Sequence, residues 1–327
     1  LPRFAGCCHD LAFHTDEAPD MNTLRRRLLQ ISAAAFAGAA VGLPARAAAP
    51  LQWRGVAMGA SASITLAHPD AAALIARARD EIARLEHIFS LHDPASALSR
   101  LNATGRLATP PFELLECLAL SATMHAASAG RFDPTVQPLW QLYAETAGQA
   151  PAPAALAQRL ARVGWQAVRF DAGAVRLTRP GMALTLNGVA QGYVADRVAA
   201  LLRAAGLRDV LVNTGEFNAL GVAPDGDDWQ ITPDDGSGNR PAPVALRDAA
   251  MASSAPRGTA FDAAGQIGHI LDPRSGLPAR TPWRLISVTA PQAALADALS
   301  TAMCLMTRSE MVALLRAFPA ARLVHLS

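Results

Sequence analysis

Apolar side chains at Leu74, Ala78, Ile82, Leu85 and Phe89 recur at three- and four-residue steps, the period of one helix face. Asp70, following Pro69, stands where an N-cap belongs, so the pattern predicts a helix from Ala71 to about Phe89. Before it, 52–67 reads as a glycine turn and then a strand through Ile64 and Leu66. After it, SLHDPASALSRLNATG is polar and rich in turn formers, and reads as a connection. Residues 112–129 return to a helical pattern. The stretch GRFDPTVQPLWQLY is interrupted by Pro134 and Pro138, which predicts no regular helix there.

In the second half, a Pro/Ala-rich stretch near 148–155 precedes a short helix, and 168–170 pairs with 175–177 as a hairpin around Asp171, Ala172 and Gly173. LTLNGVAQGYVADRV (184–198) reads as a strand end, a glycine turn and a helix start. The amphipathic helix continues to 205, with Gly206 as its stop. Strands are expected at 210–213, near 229–232 and near 243–246, then from Leu285 to Thr289 and through Leu323 and Val324. Helices are expected at 291–306 and 308–318. Helices and strands mix without βαβ alternation, so the expected fold class is α+β, in a single mixed domain.

The first 47 residues read differently. Arg25, Arg26 and Arg27 precede an apolar run from Leu28 to Leu43, and Ala45-Arg46-Ala47 ends it. A basic start, an apolar middle and small residues at the end describe a secretory signal over 21–47, and the paired arginines point to the twin-arginine route and a periplasmic destination. Residues 1–20 precede Met21 and are expected to be an over-extended gene start. The folded domain is then expected to span 48–327.

Charge narrows the partners. Setting aside the five arginines and four acidic residues of 1–47 from totals of 29 and 27 leaves 24 basic and 23 acidic residues, a balance that argues against a nucleic-acid surface. Every basic residue is Arg; the chain has no Lys. In 48–327 only Cys117 and Cys304 remain, both in apolar helical contexts, so buried thiols are expected rather than a disulfide.

Three segments could carry chemistry. Asp297 and Thr301 stand four apart on a predicted helix, so their oxygens share a face. That pairing suits a hard cation such as Mg²⁺, but spacing alone favours the plainer reading, a carboxylate in the helix's first turn beside a back-bonded Thr. His269 and Asp272 flank two apolar residues before the turn Pro273-Arg274-Ser275-Gly276. They read either as a general base with its orienting group or as a loop fastening its own backbone. The turn in 184–198 offers free backbone N–H groups for phosphate, without the spacing of a dinucleotide or Walker motif.

Taken in order, AMGAS (57–61), LEHIFSLHDPASALSRLN (85–102), GRFDPTVQPLW (130–140), LNGVAQGYVADR, HILDPRSGLP and DALSTA resemble the bacterial FAD:protein FMN transferases, the family often called ApbE. The resemblance spans nearly all of 48–327. It implies a cleft for FAD, whose pyrophosphate is bridged by Mg²⁺ held by Asp297, Thr301 and a backbone carbonyl, assigned to Gly188. It further implies flavin-binding positions at Met58, Phe132, Asp133, Thr185, Gln191, His269 and Ile270. The implied reaction is attack of an acceptor protein's Ser or Thr hydroxyl on the FMN phosphorus with loss of AMP, His269 acting as base and Asp272 orienting it.

Three positions depart from the family pattern: Thr185 replaces an Asp, Gln191 replaces a Lys, and Gly215-Glu216-Phe217 replaces Gly-Gly-Asp. LNGVAQGYVADR together with NTGEF resembles the branch linked to nitrous-oxide respiration, often called NosX. That likeness implies a membrane-bound acceptor with a periplasmic flavin domain. The same departures keep open a catalytically reduced FAD carrier or chaperone, and an FAD pyrophosphatase in which water replaces the acceptor.

Overall fold

The computed structural model describes residues 49–146, 149–236, 238 and 241–327; the expected signal over 21–47 and the expected gene-start extension over 1–20 lie outside them. An antiparallel sheet of seven strands forms the spine. Its strands are β1 (Leu51–Ala57), β2 (Ala60–Leu66), β6 (Val210–Asn213), β7 (Phe217–Leu220), β10 (Ala249–Ser254), β11 (Ile286–Ala290) and β12 (Arg322–Leu326), adjacent in that order. β3 (Arg106–Ala108), β4 (Val168–Phe170) and β5 (Ala174–Leu177) make a small second sheet, and β8 (Trp229–Ile231) pairs with β9 (Val244–Leu246).

Two-residue alternation divides the spine's side chains between two cores. Val210, Val212, Ala250 and Ala252 join the main core, whereas Leu211, Phe217, Ala219 and Met251 face the other way and pack with Trp229, Ile231 and Leu246 of the β8–β9 hairpin. On the main-core side lie α1 (Ala71–Phe89), α3 (Phe112–Ala127), α6 (Ala190–Ala204) and α7 (Ala293–Met303). The stripe Leu74, Ala78, Ile82, Leu85 and Phe89 is buried as its period requires. The α+β class and the single mixed domain are what the sequence pattern predicts.

Four readings of the pattern need correction. The connection at 90–105 contains α2 (Ala97–Thr104), started by Ser96, whose hydroxyl accepts from the Ser99 N–H, and ended by Gly105 at φ 70°. The proline-interrupted stretch also forms helix. Pro134 opens a 3₁₀ turn (Pro134–Val136), and Pro138 is in the first turn of α4 (Gln137–Glu145), where a missing N–H breaks no helical bond. Residues 182–186 are not a strand of any sheet, and Asp70 precedes α1 without a side-chain cap. The Pro/Ala-rich stretch leads, as read, into α5 (Pro153–Leu160), and α8 (Arg308–Leu315) follows α7.

Strands β1, β7 and β10 carry weak local signals. β10 is Ala-Ala-Met-Ala-Ser-Ser, poor in strand formers, and it is extended because β7 and β11 pair with it on both sides. Its small residues let α7 lie close against it. Among the described residues, no helix is long and apolar enough to cross a membrane.

Candidate active site

The centre of the site is the seam between α6 and α7. Gly192 makes the seam possible: a Cβ there would fall 2.3 Å from the Ala293 carbonyl oxygen. Asp196, one turn further along α6, caps α7 from outside. Its Oδ1 accepts from the Ala293 N–H at 2.7 Å and its Oδ2 from the Ala294 N–H at 3.0 Å, while Asn218 donates to Oδ1 at 2.7 Å. Negative charge at a helix N-terminus is favourable, and here it fixes the register of the helix that carries Asp297 and Thr301.

Asp297 is 3 % exposed, and its Oδ2 accepts from the Gly192 N–H at 3.2 Å. Burial pushes its carboxyl up to about 8, the Gly192 N–H opposes this, and the Asp196 charge pushes the same way. Among the described residues, no arginine pairs with Asp297 to offset its burial. The turn at 187–189 closes over Thr301: a Cβ on Gly188 would lie 3.0 Å from Thr301 Oγ1 and 3.3 Å from the Phe132 ring. The structure therefore brings Gly188, Asp297, Thr301 and Phe132 to one place. A buried carboxylate with no cationic partner among the described residues, a hydroxyl and a backbone turn kept open by glycine form an all-oxygen donor set, the kind that hard cations take.

The segment entering the turn is held by a side chain that imitates a neighbouring strand. Asn102 Nδ2 donates to the Leu184 carbonyl at 2.8 Å, and Oδ1 accepts from the Leu184 N–H at 2.7 Å. Thr185 N donates to the Pro134 carbonyl at 2.8 Å, and its hydroxyl accepts from the Asn187 N–H at 3.3 Å. The Gln191 carbonyl accepts from Thr214 Oγ1 at 2.9 Å. Its amide packs on Gly215, where φ is 102° and a Cβ would come within 2.9 Å of Nε2.

Phe132 and Asp133 sit on the loop before the 3₁₀ turn. Asp133 Oδ1 accepts from the Thr135 N–H at 2.8 Å and hydroxyl at 2.6 Å, and Oδ2 accepts from the Trp165 N–H at 3.1 Å. That carboxylate is committed to the loop, so Asp133 acts on the site by fixing the backbone that presents Phe132. Met58 occupies the β1–β2 turn at φ 52°, a left-handed conformation uncommon outside glycine, and Gly59 follows at 79°. Glu86 of α1 holds that turn, accepting from the Met58 N–H at 2.6 Å.

His269 lies in a loop of short bridges, Ala260 with Gly268 and Leu271 with Pro278. Its N–H donates to the Thr259 carbonyl at 3.0 Å and its ring Nδ1 lies 3.0 Å from the same oxygen. A carbonyl cannot donate, so Nδ1 carries the proton and Nε2 is the open acceptor. Burial pushes the imidazole pKa down, which favours the neutral ring. The expected orienting role of Asp272 is not what the fold builds. Its carboxylate pairs with Arg274, Oδ2 to Nη2 at 2.6 Å and Oδ1 to Nε at 2.9 Å, in the wall of a cleft of about 420 Å³ that also contains Arg131, Arg280 and Trp283. The Thr259 carbonyl, ten residues upstream, orients the imidazole instead. Ile270 is half-buried against the main core.

Several contributors carry no local signal. Ser254 Oγ lies 2.7 Å from Ser300 Oγ and 3.3 Å from Thr301 Oγ1, and Asp196 caps a helix nearly a hundred residues away. Both roles arise only when β10, α6 and α7 meet. Among the described residues, no group of three or more His, Cys, Asp or Glu side chains gathers as a metal cluster, and Cys117 and Cys304 are buried free thiols.

Comparison with known proteins gives the same outline. A protein from Treponema pallidum named FAD:protein FMN transferase is 32 % identical over 259 residues, covering 72 % of this chain and 71 % of its own. One of the same name from Rhodobacter capsulatus is 31 % identical over 260 residues, covering 70 % of this chain and 47 % of its own. The ApbE protein of Thermotoga maritima superposes with a TM-score of 0.76 at 24 % identity, over 84 % of this chain and 93 % of that one. The apo flavinyl transferase ApbE of Pseudomonas stutzeri does so with a TM-score of 0.74 at 25 % identity, over 84 % and 90 %. The model of the ApbE family matches residues 58–323, and with the T. pallidum relative this shows that the chain belongs to the ApbE family.

Proposed function

We propose that the protein transfers FMN from FAD to a hydroxyl of a partner protein, releasing AMP. The observation that carries the reading is the cluster of Gly188, Asp297, Thr301 and Phe132 on a chain whose relatives are named FAD:protein FMN transferase. Asp297, Thr301 and the Gly188 carbonyl would hold Mg²⁺. The residues fit it, because Asp297 is a buried carboxylate with no cationic partner among the described residues and a side chain at 188 would fill the space beside Thr301. When bound, the cation supplies charge neutralisation to the FAD pyrophosphate.

This chain's own residues do the rest. The turn at 187–190 presents backbone toward the phosphates, and the Asp133-braced loop presents Phe132 beside it. His269 Nε2, left free by the Nδ1 bond to Thr259, takes the proton of a Ser or Thr hydroxyl on the acceptor. The hydroxyl oxygen bonds to the FMN phosphorus, the bridging P–O bond breaks, and AMP departs with the electron pair, leaving a phosphoester. The likeness of LNGVAQGYVADR and NTGEF to the nitrous-oxide branch supports a flavoprotein acceptor at the membrane, and the 21–47 segment supports export to the periplasm, by the twin-arginine route.

The test is product analysis. FAD, Mg²⁺ and a flavin-domain acceptor are mixed with the protein, and AMP, free FMN and acceptor mass are measured. Protein-bound FMN supports transfer. Free FMN with AMP would instead mean that water is the acceptor, and unchanged FAD would mean a carrier.

A further inference from the structure

The charges of the domain nearly cancel, yet arginine collects around one cleft. That cleft, about 420 Å³, runs between the loop that follows His269 and the junction of α7 with α8. Arg131, Arg274, Arg280 and Arg308 line it, against two carboxylates, Asp272 and Glu310. Both carboxylates are already engaged. Asp272 takes Arg274 through both oxygens. Glu310 pairs with Arg131 through Oε1 and accepts from the Thr307 N–H at 2.9 Å through Oε2. Arg280 and Arg308 are exposed, and neither has a hydrogen bond or ion pair among the described residues.

A second hollow of about 520 Å³ is bounded by the strip 277–282, with Arg280 lining both. It adds Arg257, likewise exposed and without such a partner, and no acid among the described residues. The strip is apolar at Leu277 and stiffened by Pro278 and Pro282, whose rings fix φ. Trp283, next along, is anchored by its Nε1–H on the Met306 carbonyl at 3.0 Å. The strip also pairs back on the loop of the proposed base: the Ala279 N–H donates to the carbonyl of Ile270, which follows His269, at 2.8 Å. Elsewhere in the wall, Arg131 immediately precedes Phe132, and its Nε donates to the Leu305 carbonyl, one turn beyond Thr301, at 3.1 Å. The backbone thereby joins the cleft to the His269 loop and to the loop that presents Phe132.

We infer that this cleft is the docking groove for an acidic segment of the acceptor protein, with Arg280 and Arg308 pairing its carboxylates. The inference rests on the function proposed above and names the surface by which the acceptor reaches His269. Guanidinium groups match carboxylates with two parallel hydrogen bonds, and the two that the fold leaves unpaired are the ones offered to a partner. Leu277 and the prolines give apolar contact to the residues between the acids. A concave wall that already holds two carboxylates fits a narrow peptide; a lipid surface is met by a broad basic face.

The test is acceptor binding at saturating FAD without Mg²⁺, which reads affinity apart from turnover. Wild type, the reversed pair Arg280→Glu with Arg308→Glu, and the neutral pair Arg280→Gln with Arg308→Gln are titrated with the labelled flavin domain of the acceptor used for product analysis. FAD affinity is read for each from flavin fluorescence. A peptide copying the acceptor's modified stretch competes for binding, beside the same peptide with Asp and Glu changed to Asn and Gln. The reversed pair is expected to weaken acceptor binding about 5–30-fold and the neutral pair less, with FAD affinity within about twofold of wild type. Raising salt from about 0.05 to 0.5 M should weaken wild-type binding more than that of the reversed pair. Acceptor affinity within about twofold of wild type in the reversed pair would overturn the inference. So would an acidic peptide that competes no better than its amide form. Loss of FAD affinity alone would give the cleft to the FAD phosphates. Loss of binding to phosphatidylglycerol–phosphatidylethanolamine vesicles alone would give it to a membrane; either result overturns the inference. Flavinylation by wild type, with acceptor affinity unchanged in the reversed pair, removes this inference and leaves the proposed transfer standing. Should the reversed pair not fold, the neutral pair decides: a loss above about twofold supports the inference, and a smaller one overturns it.

Discussion

At the scale of single residues, the arrangement around His269 makes the sharpest demand. Burial disfavours the imidazolium, so the folded ring keeps its free Nε2 to lower pH than an exposed histidine would. The sign follows directly: activity that needs the neutral base survives acidification and falls only below the ordinary value of 6.5. A pH profile of kcat/KM is expected to show an acidic limb centred below 6.5. His269→Gln should remove that limb and lower kcat by about 10²–10⁴-fold. In the sequence, His269 and Asp272 read equally well as a catalytic pair or as a fastened loop. The fold divides them: His269 is oriented by the Thr259 carbonyl, and Asp272 is bound to Arg274. Three-residue spacing could not reveal this, since the orienting group is a backbone atom on a segment that folds back.

At the scale of elements, two contacts between α6 and α7 determine whether Asp297 and Thr301 face the site. Asp196→Ala would leave the Ala293 and Ala294 N–H groups and the Asn218 amide without their acceptor. A loss of about 1–3 kcal/mol is expected, measured by denaturant unfolding, with a weakened response to Mg²⁺ because α7 carries the proposed ligands. Gly192→Ala introduces a Cβ 2.3 Å from a carbonyl oxygen that belongs to backbone and cannot rotate away. It is expected to cost about 1–3 kcal/mol and to lower the melting temperature with the chain still folded. The periodic elements, α1 and α6 above all, were readable because one face is apolar and the other is not. α4 and β10 were obscured for opposite reasons. Pro134 and Pro138 look like helix breakers but stand in first turns, and the small residues of β10 become a strand only between two partners.

For the whole molecule, the α+β class and the order of motifs were visible in the sequence, whereas the convergence of those motifs was not. Gly188, Asp297 and Thr301 come from segments about a hundred residues apart, and only the packing of α6 on α7 beside β10 joins them. The most direct test of the proposed transfer uses the purified protein, FAD, Mg²⁺ and a flavin-domain acceptor, followed by the intact mass of the acceptor. The account predicts a gain of one FMN less one water with the wild type, and no gain with Asp297→Ala. An acceptor flavinylated equally well by Asp297→Ala would contradict it, because the cluster on α7 would then have no part in the transfer.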